Sequence, residues 1–182
     1  MSELRLSMLL FVASEAVFFV LLIVAYVIYH ASSPSGADAA RYLDIPKTAA
    51  FTVCLIGSSF TMWLATIHFK NGSRRPALAW LLATMALGTI FLTGQGIEYA
   101  DLIKQDMTIS RNLFGTTFFT LTGFHGLHVL IGLIMLATLF GLQLKRRIPE
   151  PSGAVESVSI YWHFVDVVWM IIFPVVYLWV LQ

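Results

Sequence analysis

The chain has little charge and a single cysteine. Asp, Glu, Lys and Arg make up only 12% of its 182 residues, about half the ~25% typical of soluble domains, which excludes an ordinary soluble domain. A net charge of +1 gives no support for nucleic-acid binding. The lone Cys54 excludes an intrachain disulfide. Hydrophobic residues make up 58% of the chain and the mean hydropathy is +0.82, so we predict an integral membrane protein.

Five long apolar segments account for most of the sequence. Each exceeds the roughly 20 residues that a helix needs to cross a bilayer, and helices satisfy their own backbone groups in lipid. We therefore predict an all-α fold, a single domain over residues 1–182 built as a bundle of five transmembrane helices. The predicted helices cover about 7–29, 48–69, 77–99, 113–144 and 157–181. The first could be mistaken for a signal peptide, but its apolar run continues to Tyr29, which favours an uncleaved helix.

The distribution of Lys and Arg predicts the orientation of the helices. Seven basic residues fall on one side and four on the other, and the richer side should be cytoplasmic. This places the amino terminus inside and the carboxyl terminus outside. Lys145, Arg146 and Arg147 are candidates for contact with lipid headgroups, although positive-inside sorting alone also explains this cluster. The richer side holds Arg5, Lys70, Arg74, Arg75, Lys145, Arg146 and Arg147, and the other holds Arg41, Lys47, Lys104 and Arg111.

Ionisable residues within the predicted helices need an explanation. Each costs roughly 2.5–3.5 kcal/mol at the bilayer centre on insertion scales, so it normally pairs with another polar group or faces the bundle interior. Glu15 and Asp166 both lie roughly 12–14 Å from the cytoplasmic helix starts, and His125 and His128 share one helix face. We expect a buried polar layer of Glu15, His125, His128, His163 and Asp166, with Glu98 near the end of the third helix.

Three interpretations of these side chains stay open on spacing alone. Histidines three residues apart can ligate haem or a metal, but no third and fourth ligand stands at a diagnostic spacing. Buried acids and imidazoles also suit an ion or proton pathway, yet the chain has no inverted repeat or paired broken helices. Hydrogen bonding between helices is the third interpretation, and it is favoured for any single residue of the set.

Two blocks of the literal sequence are distinctive, Thr122–Val129 (TGFHGLHV) and Tyr161–Trp169 (YWHFVDVVW). Both closely resemble subunit III of the haem-copper oxidases. Ser14–Phe19 (SEAVFF) is similar to the family's Ser-Glu-x-x-Phe-Phe motif, and Gln95–Tyr99 (QGIEY) to its Gln-x-x-Glu-Tyr motif. Thr108–Ser110 precedes the fourth helix, as in the family. These blocks run in order over almost the whole chain, and the chain is similar to the shorter, five-helix bacterial members.

The resemblance implies an accessory, non-catalytic subunit of a proton-pumping terminal oxidase in a bacterial inner membrane. It implies no cofactor in this chain, since the haem and copper centres of such oxidases belong to subunits I and II. The implied partners are subunit I as the main contact, subunit II, other oxidase subunits and membrane lipid, with bound phospholipid as a further ligand. The implied role is to stabilise subunit I and support its proton uptake. Positions that match the family's polar signature are Glu15, His128, Glu156, His163 and Asp166.

Three alternatives of other kinds accompany this hypothesis. An independent membrane cytochrome would use the histidines as haem ligands. A small transporter would use the buried polar groups as an ion pathway. A subunit III homologue associated with nitric oxide reduction would share the fold and differ in the chemistry of its neighbouring catalytic subunit.

Overall fold

The computed structural model describes residues 3–31, 43–110, 113–147 and 153–178. Within these ranges it contains five helices long and apolar enough to cross a membrane, which confirms the predicted five-helix, all-α fold. The last helix ends in a π-helical turn at Pro174–Leu178. Proline lacks the backbone N–H that a regular α-helix would use there, which accounts for the change in helix type. The helices are α1 Glu3–Ala31, α2 Ile45–Lys70, α3 Arg74–Lys104, α4 Leu113–Leu144 and α5 Gly153–Phe173.

Most helix ends differ from the predicted bounds by one to five residues. The observed bounds of α4 equal the predicted 113–144, whereas α3 extends outward to Arg74 and Lys104. Charged residues continue a helix beyond the hydrocarbon because their side chains reach headgroups or water. Residues 179–181 of the predicted fifth helix, Arg41 and Arg111, and most of the segment between the first two predicted helices lie outside the described residues.

Two helices each pack against three others: α5 contacts α1, α2 and α4, and α4 contacts α1, α3 and α5. The short turn at 71–73 pairs α2 with α3, and Gly72 adopts φ +67°, a conformation that glycine accepts without strain. The indole side chains of Trp162 and Trp169 are 0% and 1% exposed. The five helices therefore enclose an aromatic core to which α5 contributes both tryptophans and the other helices contribute rings such as Tyr26, Phe91 and Phe118.

Trp162 fills a gap that two glycines open. A Cβ atom added to Gly88 of α3 would lie 2.6 Å from Cη2 of Trp162, and one added to Gly132 of α4 would lie 2.8 Å from its Cε3. The indole N–H donates to Ser58 Oγ of α2 at 3.0 Å, which fixes the ring from the third side. Small residues commonly let transmembrane helices approach each other closely, and here they make room for the tryptophan.

This contact predicts that Gly88→Ala and Gly132→Ala each lower the free energy of unfolding by about 1–3 kcal/mol, the usual cost of overpacking. Thermal unfolding of the purified chain in detergent, followed by circular dichroism, measures the change. Gly141→Ala is the matched control, because an added Cβ there meets nothing within 4 Å. Equal unfolding temperatures for Gly88→Ala and Gly141→Ala would show that Trp162 does not fill this gap.

Candidate functional site: polar clusters within the helix bundle

A cluster of Ser59, His163 and Asp166 connects α2 to α5. The hydroxyl of Ser59 donates to Oδ2 of Asp166, and Oγ of Ser59 lies 3.0 Å from Nδ1 of His163. A serine hydroxyl has one hydrogen, so Nδ1 of His163 is the donor in the second bond. Ser59 thus joins two side chains that do not bond directly to each other. The i, i+3 spacing of His163 and Asp166 places both on the face of α5 that meets α2.

Two atoms of the cluster made by Ser59, His163 and Asp166 have no hydrogen-bond partner among the described residues. One is Oδ1 of Asp166, a residue that is 5% exposed. The other is Nε2 of His163, on a half-buried side chain at the surface of the bundle. The cluster is therefore closed toward α2 and open on one side of α5.

Glu15 and His128 form a second contact, between α1 and α4. Nε2 of His128 lies 3.1 Å from Oε2 of Glu15, and its Nδ1 lies 2.7 Å from the carbonyl oxygen of Phe124. A carbonyl only accepts, so Nδ1 carries a hydrogen, and the pair shares one further proton between imidazole and carboxyl. The pair is electrically neutral wherever that proton lies, which suits a membrane interior. The hydroxyl of Tyr161 also donates to the backbone oxygen of His128 at 3.2 Å.

His125 is packed among aromatic rings rather than bonded to polar groups. Its ring stacks on Trp169 with centroids 4.7 Å apart and meets Phe91 edge-on at 5.9 Å. The residue is 0% exposed, and neither ring nitrogen has a hydrogen-bond partner among the described residues. The geometry is that of an aromatic core residue.

The five residues expected in one polar layer therefore occupy three separate environments. Within the described residues, no hydrogen bond joins the Glu15–His128 pair to the cluster of Ser59, His163 and Asp166. His125 stands apart from both in the aromatic core. No group of three or more His, Cys, Asp or Glu side chains in the described ranges is arranged to hold a metal ion.

Glu98 forms a further buried cluster near the carboxyl-terminal end of α3. Its Oε1 accepts from the hydroxyl of Thr48 at 2.9 Å, and its Oε2 accepts from the hydroxyl of Tyr177 at 2.8 Å. One carboxyl group thereby joins α2, α3 and the π-helical turn. The sequence analysis placed Glu98 inside a helix but did not identify either partner, because a threonine or a tyrosine in an apolar segment carries no distinctive pattern.

An ion-pair group lies at the end of the bundle that the basic residues predict to be cytoplasmic. Glu156 lies 2.9 Å from Nζ of Lys70 and 3.6 Å from Arg5, which joins α5 to α2 and α1. The guanidinium of Arg74 donates to the carbonyl oxygens of Gln143 and Leu144, the last residues of α4. These contacts place Arg5, Lys70, Arg74 and the adjacent Lys145, Arg146 and Arg147 at one end of the bundle, and the last three are exposed.

The sequence analysis did not identify the small polar residues of α2 that bond to His163, to Asp166 and to the buried tryptophans. Ser59 is one, Ser58 accepts from Trp162, and Thr52 accepts from the indole N–H of Trp169 at 3.0 Å. The available signal was the concentration of Ser and Thr in α2, a helix otherwise built of apolar residues. In lipid, hydroxyl groups in such a helix commonly bond across to a neighbour.

Comparison with known proteins gives matches over nearly the whole chain. The family model described as cytochrome c oxidase subunit III matches residues 1–181. A cytochrome c oxidase subunit 3 of Corynebacterium diphtheriae is 36% identical over 173 residues, 93% of this chain and 84% of that protein. One from Synechocystis is 37% identical over 172 residues, 93% and 72% of the two chains. One from Gadus morhua is 36% identical over 188 residues, 97% and 69%.

The Ser59 bridge predicts energetic coupling between Ser59 and Asp166. In a double-mutant cycle of Ser59→Ala and Asp166→Ala, we expect a coupling energy of about 0.6–1.7 kcal/mol, the range found for hydrogen bonds between transmembrane helices. Denaturant unfolding of the purified chain in mixed micelles gives the four free energies. Ser59→Ala with Glu15→Ala is the control cycle, and it should be additive because the two residues belong to separate clusters. Additivity in both cycles would contradict the bridge.

Proposed function

Because the chain belongs to the cytochrome c oxidase subunit III family, we propose that it acts by packing against the catalytic subunit I of its oxidase. The chain is an accessory subunit III of a haem-copper oxidase. The relatives are named as subunits of cytochrome c oxidase, so the complex we propose passes electrons from cytochrome c to dioxygen. In it, this chain stabilises subunit I and supports proton uptake through that subunit.

The observation that carries this proposal is the way the polar side chains within the bundle bond to one another between helices. His128, on the helix face expected for a ligand, has both ring nitrogens engaged, one by Glu15 and one by the carbonyl oxygen of Phe124. A haem ligand needs one imidazole nitrogen directed at the iron. Here Nε2 joins α4 to α1 and Nδ1 bonds within α4, so neither nitrogen is directed at a cofactor, an arrangement suited to a helper bundle.

The cofactors and lipid of the complex follow from the same proposal. Haem and copper belong to subunits I and II, and this chain supports the subunit that reacts with oxygen. The exposed residues Lys145, Arg146 and Arg147 after α4 are suited to the headgroup of an anionic phospholipid. Arg146 has φ 53°, the left-handed conformation that commonly follows the end of a helix, and it lies two residues after α4 ends at Leu144.

The membrane and orientation are also part of the proposal. The chain is a multi-pass membrane protein, and we assign it to a bacterial inner membrane with its amino terminus in the cytoplasm. Support comes from the grouping of basic residues at one bundle end, where Arg5 and Lys70 meet Glu156. Lys47 and Lys104 lie at the other end, where both pair with Asp101.

The alternatives receive no support from the comparisons. The relatives cited above carry the name of an oxidase subunit, and none is named as an independent cytochrome, a transporter or a subunit of a nitric oxide reductase.

The chain purified without partner subunits is expected to have no Soret absorption band, whereas the intact complex has one. A Soret band in the isolated chain would contradict the accessory role.

The proposal predicts that Asp166→Asn weakens retention of this chain in the oxidase without changing the haem absorption of the complex. The amide NH₂ would take the position of a buried carboxylate oxygen that has no acceptor beside it, which loosens the contact between α2 and α5. The measurement is the ratio of this chain to subunit I after affinity purification, together with the optical spectrum.

Asp101→Asn is the matched control for Asp166→Asn. Asp101 carries the same functional group, but its side chain is 43% exposed and pairs with Lys47 and Lys104 at the bundle end. Exposed ion pairs contribute little, so retention should stay at the wild-type level. An altered haem spectrum in a fully assembled Asp166→Asn complex would count against an accessory role.

A further inference from the structure

His163 presents an unsatisfied ring nitrogen at the surface of the helix bundle. The one hydrogen bond of its half-buried ring among the described residues is at Nδ1, which lies 3.0 Å from Oγ of Ser59, and Nε2 makes none there. When Asp166 is ionised, the hydroxyl hydrogen of Ser59 goes to that carboxylate, so the hydrogen between Ser59 and His163 lies on Nδ1. In the neutral ring, Nε2 is therefore a hydrogen-bond acceptor that has no donor among the described residues.

The depth of His163 excludes the usual partners of a surface histidine. It lies ten residues after the start of α5 at Gly153, which is about 15 Å along the helix. Ser59 lies eleven residues before the end of α2 at Lys70, about 16 Å from the same side. The hydrocarbon core is about 30 Å thick, so both are near its middle. Acyl chains offer no donor there, and headgroups lie too far away.

The surface around His163 has the shape of a helix contact. His163, Val167 and Met170 follow one another at i, i+4 and i+7, so they form one strip along the outer side of α5. Val167 and Met170 are 58% and 51% exposed. An apolar strip with one polar atom at the middle of the membrane is the surface that a transmembrane helix covers when it also supplies a hydrogen-bond donor.

Glu15 is also a half-buried ionisable residue near the middle of the bilayer. Within the described ranges, it is the only other such residue that belongs to a polar cluster. Its side chain is 24% exposed, but it already has His128 as a partner, and that pair shares its own proton. The surface beside Glu15 therefore needs no donor from another chain. This difference distinguishes the α5 strip from the outer surfaces of α1 and α4.

We propose that the strip His163, Val167 and Met170 is the docking face for a transmembrane helix of the catalytic subunit, and that this helix donates a hydrogen bond to Nε2 of His163. The inference rests on the proposed function, in which the chain packs against that subunit, and adds which face makes the contact. The donor is a hydroxyl, an indole N–H or an amide, each of which keeps the contact uncharged.

Two substitutions of His163 separate its two nitrogens. The amide of His163→Asn lies where Nδ1 stands and keeps the bond to Ser59, whereas the longer His163→Gln places its amide near Nε2. In the intact complex, His163→Asn should lower retention of this chain about threefold to twentyfold, the equivalent of one interhelical hydrogen bond. His163→Gln should stay within about threefold of wild type. The opposite order, or equal retention in both variants, would overturn the donor contact.

A photo-crosslinker identifies the face directly. With p-benzoylphenylalanine at Val167, irradiation of the intact complex should join this chain to the catalytic subunit. The same residue at Ile134 of α4, which is 57% exposed, should label lipid. Crosslinks to the catalytic subunit from Ile134, with only lipid labelled from Val167, would overturn the docking face and leave the proposed function standing. Failure of the wild-type chain to co-purify with that subunit would instead overturn the proposed function and the docking face with it.

Discussion

Hydrocarbon offers no hydrogen bonds, and every polar group within this bundle is placed under that constraint. The backbone meets it by forming helices, and the side chains meet it by bonding across to a neighbouring helix. Glu98 accepts hydrogen bonds from two hydroxyl groups, and His128 bonds to a carboxyl group and to a carbonyl oxygen. Ser59 bonds to both His163 and Asp166. The polar residues are therefore the connections that determine which helices adjoin. Among the described residues, Nε2 of His163 departs from this arrangement at the surface of α5, and Oδ1 of Asp166 and both ring nitrogens of His125 depart from it in the interior.

The packing of the bundle follows from the same solvent. Lipid does not drive apolar helices together as water does, so close contact and shape fit have to supply the association. Trp162 does this by occupying the space left by Gly88 and Gly132 while its N–H bonds to Ser58. Because α5 carries both Trp162 and the His163 cluster, the residues that make the core rigid also hold the outer strip of that helix in place. A rigid α5 is a suitable surface for a partner helix.

The sequence predicted the number and type of helices, because length and apolar character decide both in a bilayer. It also predicted that Glu15, His128, His163 and Asp166 matter within the bundle, because charged and imidazole groups stand out in apolar segments. It did not predict their grouping. Glu15 and Asp166 were expected at similar depth, yet similar depth does not bring two side chains together when one faces α4 and the other faces α2. Ser59 was not identified at all, since one of the two serines and four threonines of α2 gains its role only from what α5 places opposite it.

The central proposal is that the catalytic subunit supplies the hydrogen-bond donor that Nε2 of His163 lacks among the described residues. An experimental structure of the intact oxidase in lipid tests it most directly, through the atoms that surround His163. The account predicts Ser59 Oγ between His163 and Asp166, and a donor from a transmembrane helix of the catalytic subunit about 3 Å from Nε2 of His163. Acyl chains alone against His163, with the catalytic subunit seated on the outer surface of α4, would contradict it.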